Sequence, residues 1–357
     1  MVSMLNNFYK NKNVLITGHT GFKGSWLSQI LSNWGANVTG YSLNPPTEPN
    51  LYTILNLNSK INSINGDVRD LNKLNEVFSE IEPEIVIHMA AQPLVRESYE
   101  NPVYTYETNV MGTVNICECV RQSASVKSFL NVTTDKVYEN VEKSEGYKED
   151  EKLDGYDPYS NSKSCSELVT HSYINSFFNE LNIPTSTARA GNVIGGGDFA
   201  KDRIIPDCFK ACKNNEDIII RNPYSIRPYQ HVLEPLSMYL TIAKEQYINK
   251  DYAGYYNIGP NDEDCVETSI LVDLFCRYFN ETNDDNIRWI NKNDNGPHEA
   301  TFLKLDNNKI KQTFNWKATW NINEAMKKTV EWINSYLNNE DMELCTNNQI
   351  DEFFKKS

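Results

Sequence analysis

No run in this 357-residue chain approaches the roughly 20 apolar residues that a membrane span requires. Its first residues, MVSMLNNFYKNKNVLIT, are polar and lead straight into a strand-like segment. They contain no apolar signal-peptide core and no small-residue cleavage site, so a cytoplasmic address is expected. No dense Lys/Arg stripe offsets the formal net charge of −14. A nucleic-acid backbone requires clustered positive charge, which argues against nucleic acid as a partner, although a few Arg residues and helix N-termini suffice for a small anion. The eight cysteines form no CxxC pair. Cys208 and Cys212 lie four apart on an expected helix, but no companion Cys/His pair offers the second half of a zinc site, and free thiols are the expectation. His298-Glu299 lacks the second His of a zinc motif, so no metal is expected. Internal repeats, low-complexity linkers and long charge blocks are also missing.

What is present is an ordinary globular composition, 39% hydrophobic and 23% charged, in a length suited to one large α/β domain carrying a second lobe. Short β-branched runs alternate with helical stretches over the first two-thirds. Strands are predicted at Asn13–Thr17, Asn37–Ser42, 63–67, 84–90, Ser128–Thr134 and 185–193, and helices at 25–34, Leu71–Ile81, 104–122 and 158–179. This rhythm predicts a Rossmann-type, doubly wound parallel sheet with helices on both faces and a ligand at the carboxyl ends of its strands. Beyond about residue 192 the rhythm loosens. The segments DIIIRN, YYNIG and IRWINK and helices near 236–249, 267–281 and 323–339 read as a smaller α/β lobe that binds substrate. The expected division is 1–192 for the dinucleotide-binding domain and 193–357 mainly for the lobe, with 229–254 a candidate return to the first domain.

The first strand runs directly into Thr17-Gly18-His19-Thr20-Gly21-Phe22-Lys23-Gly24 and then a helix. Its spacing is G-x-x-G-x-x-G rather than G-x-G-x-x-G, but the physics is related. Glycine permits the tight turn and the approach of backbone N–H groups to a pyrophosphate, while the helix presents its positive end. A lone glycine triplet is weak evidence; between the first strand and the first helix it is strong. The second strand ends Tyr41-Ser42-Leu43-Asn44 without the acid that usually meets the adenosine ribose of NAD. Arg and Lys are also absent from residues 38–59, leaving no cation for the 2′-phosphate of NADP, and NAD is the expectation. Asp67, in Gly66-Asp67-Val68, is a candidate partner for the adenine amino group, although taken alone a simple turn explains it better.

Tyr159 and Lys163 form Y-x-x-x-K, and four residues apart on a helix they share a face. A neighbouring ammonium favours phenolate, so the Tyr can serve as a base while the Lys also holds a cofactor ribose. The pair is common by chance; what raises it is Thr134, ending a predicted strand twenty-five residues upstream, where a hydroxyl can orient the oxygen that Tyr159 deprotonates.

TGxxGFKG, the strand end His88–Gln92, Asn109 in ETNVMGT and Y-x-x-x-K together resemble the extended short-chain dehydrogenases/reductases, the NAD-dependent epimerase/dehydratase group. Within them the chain is similar over nearly its whole length to the CDP-glucose 4,6-dehydratase family. The segments carrying that likeness are GHTGFKGSWL, SLNPPTEPNLY, TTDKVYEN, GYDPYSNSKSCSELV, ARAGNVIGGGD, RIIPD and IRNPYSIRPYQHVLEP, with His298-Glu299-Ala300 and a tail containing Cys345 and Gln349-Ile350. The resemblance implies a tightly bound NAD recycled in each turnover. It implies cofactor contacts from residues 18–24 and from Ser42, Asp67, Val68, Ala90, Ala91, Gln92, Asn109, Thr133, Tyr159 and Lys163. Thr134-Asp135-Lys136 would be catalytic with Tyr159 and Lys163: C4 is oxidised, Asp135 and Lys136 drive loss of water across C5–C6, and hydride returns to C6. Asn192 and Arg227, with Arg203, Ile204 and Arg221 as secondary candidates, would hold the nucleotide-sugar diphosphate, to which the planar Arg fork is suited. The helices at 104–122 and 158–179 would pair in a homodimer, or a dimer of dimers. Two other readings stay open: an NAD-dependent epimerase or dehydratase for another nucleotide-sugar, and a catalytically silent NAD(H)- or nucleotide-sugar-binding regulator.

Overall fold

In the computed structural model, which describes residues 2–283, 286–292 and 302–357, Asn13–Thr17 (β1) is an inner strand of a seven-stranded sheet. The other strands are Asn37–Ser42 (β2), Asn62–Asn65 (β3), Ile85–His88 (β4), Ser128–Thr134 (β5), Thr185–Ala190 (β6) and Tyr255–Ile258 (β7). Every pairing is parallel and the order is β7-β6-β5-β4-β1-β2-β3. Both faces of the central strands are covered, and their apolar side chains go alternately to two cores. Val14, Ile16, Ile85 and Ile87 join one core, while Leu15 and Val86 join the other. Two-sided burial is why these strands read as continuous apolar runs rather than alternating ones. Strand order reverses direction between β1 and β4, and the crevice of a doubly wound sheet opens at such a switch point.

The helices that matter for the site are Phe22–Asn33 (α1), Leu71–Ile81 (α2), Gly112–Gln122 (α3), Pro158–Tyr173 (α4), Ile204–Asn214 (α5) and Leu233–Ile248 (α6). Helix α6 is buried along almost its whole length, since it packs against β4, β5 and β6 of the large sheet. Outside that sheet, Ile218–Ile220 pairs in parallel with Trp289–Asn291, Ile226–Pro228 antiparallel with Cys265–Glu267, and Val193–Ile194 in parallel with Gln230–His231.

Several sequence expectations are corrected here. The YYNIG segment belongs to the large sheet, not the small lobe: as β7 it pairs with β6 in the register Tyr255↔Thr187 through Ile258↔Ala190. The strand expected at 185–193 ends at Ala190, before Gly191 and the separate pair at Val193–Ile194. The helix expected at 25–34 begins three residues earlier, inside the glycine turn, because extended Gly21 (φ −77°, ψ 171°) starts it. Both long helices are interrupted by a wide i→i+5 turn, at Glu107–Met111 and at Ile174–Phe178; hydrophobic spacing does not register one such inserted turn. The His298-Glu299-Ala300 segment lies outside the described residues.

Candidate active site

The glycine turn closes on itself because nothing larger fits. Gly18 has φ +80°, and a Cβ there would lie 2.8 Å from the Ala90 nitrogen; one on Gly24 would lie 2.1 Å from the Gly18 carbonyl oxygen. Helix α1 therefore starts hard against the ends of β1 and β4, with no side-chain cap on its first turn. Above it opens a cleft of about 1640 Å³ between the carboxyl ends of the sheet and the second lobe.

Most of the residues singled out from sequence line this cleft. From the turn come Gly18, Thr20, Gly21, Phe22, Lys23 and Gly24, and from neighbouring strand ends Ser42, Asp67, Val68, Ala90, Ala91, Gln92 and Thr133. Asn192, Arg203, Ile204, Arg221 and Arg227 face them from the other side. Two residues do not line it. The His19 ring turns away to pack over Gly40 and Tyr52 and bonds Ser63 Oγ at 2.7 Å, and burial lowers its pKa to about 4. Asn109 is buried beneath the β4 end, where it accepts from the Gln92 amide at 2.8 Å and donates to the Gln92 carbonyl and Ser162 Oγ. It sits in the wide turn of its helix and so positions Gln92 without reaching the cleft itself. Asp67 lines the cleft but its carboxylate is gripped by Arg69, which holds its pKa low. Arg203 is paired with Asp198 at 3.0 Å, and Arg221 with Asp202 and Asp207 at 3.0 and 3.1 Å. His231 is a packing residue, fully buried between Trp26 and Trp320.

Tyr159 and Lys163 reach the cleft because of how α4 starts. Asp157 caps it, accepting from the Ser160 amide at 2.9 Å, and Pro158 takes the first helical position. Tyr159 follows at once, and Lys163, one turn on, donates to the Val132 carbonyl of β5 at 3.3 Å. Burial raises the Tyr159 phenol to about 12, against a hydrogen bond with Thr134 that lowers it. Burial lowers the Lys163 ammonium to about 8, against the Glu167 carboxylate that raises it. Thr134, at the end of β5, donates to Asp135 Oδ1 at 2.9 Å and lies close enough to the Tyr159 phenol to lower its pKa. Asp135 is fully buried; its Oδ2 lies against Gly191 and has no partner among the described residues. The Lys136 ammonium stands 3.7 Å from Asp135 Oδ1 and is 31% exposed, compared with 1% for the carboxylate.

A phenol, a hydroxyl, an acid and two amines at one parallel strand end can move protons between adjacent carbons of a bound polyol. The matching model is that of GDP-mannose 4,6 dehydratase, over residues 15–329. The chain belongs to this dehydratase family. Among curated proteins, the CDP-glucose 4,6-dehydratase of Salmonella typhimurium is 48% identical over 353 residues, 97% of each chain. Among solved structures, the UDP-glucose 4-epimerase of Thermotoga maritima superimposes with a TM-score of 0.76 at 22% identity, over 91% of this chain and 99% of that one. The dTDP-glucose 4,6-dehydratase of Bacillus anthracis does so with 0.73 at 20% identity, over 91% and 97%. At that identity the structural likeness speaks for the fold.

In this dehydratase the strand end rests on a group that sequence reasoning missed. Glu167, on α4, accepts from the Thr133 and Thr187 hydroxyls and is clamped by Arg189 at 2.9 and 3.0 Å, both partners about 2% exposed or less. Arg189 also donates to Tyr138 Oη and the Glu149 carbonyl. Asp198 was missed too, although its charge lies five residues before Arg203 in GGGDFAKDR. Nothing local marks Glu167, which follows Tyr159 and Lys163 at the same helical spacing and looks like a surface acid. Removing one side of a buried pair strands the other charge, so Arg189→Met is expected to cost about 3–5 kcal/mol. The measurement is urea unfolding, with a lower midpoint at unchanged slope.

Proposed function

We propose that this protein is a CDP-glucose 4,6-dehydratase that converts its substrate to CDP-4-keto-6-deoxyglucose with NAD recycled in each turnover. The observation that carries the reading is Asp135, a buried carboxylate with one free oxygen, beside Lys136 and bonded to Thr134, which acts on the Tyr159 phenol. The 48% identity to a protein of that activity, over nearly all of both chains, supports the choice of nucleotide and sugar.

The residues fit NAD. The turn is bare of side chains where backbone must approach a diphosphate, and the uncapped start of α1 leaves its first N–H groups free for an anion. At the end of β2 Ser42 bonds Thr20 at 2.9 Å, and the cation nearest the Asp67 turn, Arg69, is locked to Asp67 and Glu107. That arrangement favours the dinucleotide without a 2′-phosphate. Gly24→Ala is accordingly expected to weaken NAD binding at least about 10-fold and to destabilise the fold by about 1–3 kcal/mol, because the added methyl meets backbone that cannot turn aside. NAD titration and thermal unfolding check it.

Tyr159 takes the proton from the C4 hydroxyl, which the Thr134 oxygen orients. When bound, the oxidised nicotinamide supplies a hydride acceptor for C4, later the hydride for C6, and a positive charge beside the phenol. The C4 ketone acidifies the C5 proton, which Lys136 removes once its partly exposed ammonium has given up its own proton to solvent, and later returns to C5. Asp135 gives a proton to the departing C6 oxygen, which leaves as water. The proton gained by Tyr159 then balances the one lost by Asp135, and the hydroxyl of Thr134, bonded to Asp135 and acting on the phenol, is the path between them.

The test is mass spectrometry of CDP-glucose incubated with the protein and NAD. A product lighter by one water supports the reading; an unchanged mass, from protein that holds NAD, rejects this substrate. An epimerase would leave the mass unchanged, and a silent binder would turn over no nucleotide-sugar at all. Exposed Val103, Tyr106, Met111 and Leu168 on the helical face formed by 102–122 and α4 support a homodimer through that face, and the eight free cysteines suit a cytoplasmic setting.

A further inference from the structure

Lys23 enters the cleft from the first turn of α1, where a cation is out of place. The helix already presents its positive end there, and the first turn carries no acidic residue. The charges that act on the Lys23 ammonium are Arg203, Lys163 and Lys136 against a single carboxylate, Asp135. The Thr134 hydroxyl and Lys136 engage that carboxylate through Oδ1 while its Oδ2 lies against Gly191, and Arg203 is neutralised by Asp198. Among the described residues Lys23 has no hydrogen-bond or ion-pair partner; its ammonium lies 5.8 Å from the centre of the Tyr239 ring. The Tyr239 hydroxyl is itself buried and has no hydrogen-bond partner among the described residues. Burial and like charge together bring the ammonium down to about 7, so the free cleft holds it close to losing its proton. An ammonium kept under such conditions is stabilised only by an anion that arrives with a ligand.

We propose that Lys23 binds a diphosphate oxygen of a bound nucleotide, so that the glycine turn grips its ligand by a side-chain cation as well as by backbone N–H groups. This rests on the reading of the cleft as a site for NAD and a nucleotide-linked sugar. Lys23 lines the same cleft as Arg203 and Ile204 at the start of α5, so the oxygen comes from the diphosphate of either NAD or the nucleotide-sugar. Thr20 and Phe22 flank the same turn without charge, which leaves Lys23 as its one cationic side chain.

The experiment compares Lys23→Gln and Lys23→Arg in the full chain by calorimetric binding of NAD and of CDP-glucose, with melting temperatures as the check on folding. Charge-assisted contact predicts that K23Q weakens one of the two ligands about 10- to 100-fold, while K23R stays within about threefold of wild type for that ligand. A loss confined to NAD assigns the cofactor's diphosphate; a loss confined to CDP-glucose assigns the sugar nucleotide's. If K23Q binds both ligands within about threefold of wild type, or if only kcat falls, the proposal is wrong. Both arms read binding rather than turnover, so a chain that dehydrates nothing would refute the dehydratase reading while the NAD arm still reports on Lys23.

Discussion

Replacing Tyr159 with Phe is expected to lower kcat by about 10²- to 10⁴-fold, the range that one positioned acid or base contributes, with NAD affinity and melting temperature nearly unchanged. The phenol ring packs at the start of α4 whether or not it carries a hydroxyl, and the Thr134 hydroxyl keeps its bond to Asp135 in the variant. What disappears is the group that accepts the C4 proton. Lys163 cannot replace it, because its ammonium is held back on the Val132 carbonyl. Burial lifts the free phenol to about 12, so at neutral pH it is protonated until a positive charge comes to stand beside it. Rate is therefore expected to rise with pH in the wild type and to lose that dependence in the Phe variant. A Tyr159→Phe enzyme within tenfold of wild type in kcat would remove Tyr159 from the mechanism.

The second large effect is expected from Asp135→Asn combined with Lys136→Met. Two groups that serve one elimination do not add, so the double variant is expected to lose water formation by at least about 10³-fold rather than by the product of the single effects. NAD binding should stay within about threefold, since neither side chain belongs to the glycine turn. The single variants separate the roles. Asp135→Asn leaves Lys136 able to remove the C5 proton, so solvent deuterium should enter at C5 while water loss stays blocked. Lys136→Met should block both. Unimpaired dehydration by the double variant, measured as product mass, would sink the assignment, and deuterium entering in Lys136→Met but not in Asp135→Asn would exchange the two roles.

The chain's own pattern announces the parts of this site that are local. Gly18 and Gly24 mark the turn because only glycine tolerates backbone at 2.8 and 2.1 Å from a would-be Cβ, while Gly21, where a Cβ would meet nothing closer than 3.4 Å, starts α1 from an extended conformation. Asp157-Pro158 before Tyr159 and Lys163 is equally legible, since a cap and a first-turn proline define where a helix starts and hence which way its first side chains face. Continuous apolar runs at β1 and β4 announced a sheet buried on both sides. Through these, sequence by itself determined the Rossmann-type class, the position of the glycine turn and the choice of Thr134, Tyr159 and Lys163 as the residues to examine.

The tertiary structure alone decided what depends on partners distant in the chain. Whether YYNIG belonged to the lobe or the sheet was a matter of register against β6, about 68 residues earlier, and a four-residue apolar strand fits either place. His19 and Lys23 are four residues apart in the same turn, yet one ring turns back under β2 while the other side chain faces the cleft. Glu167 looks like a surface acid until Arg189 closes on it from the next strand. In each case backbone propensity is indifferent between the alternatives, and the outcome is fixed by which charges, rings and carbonyls the folded sheet brings within a few ångströms of one another.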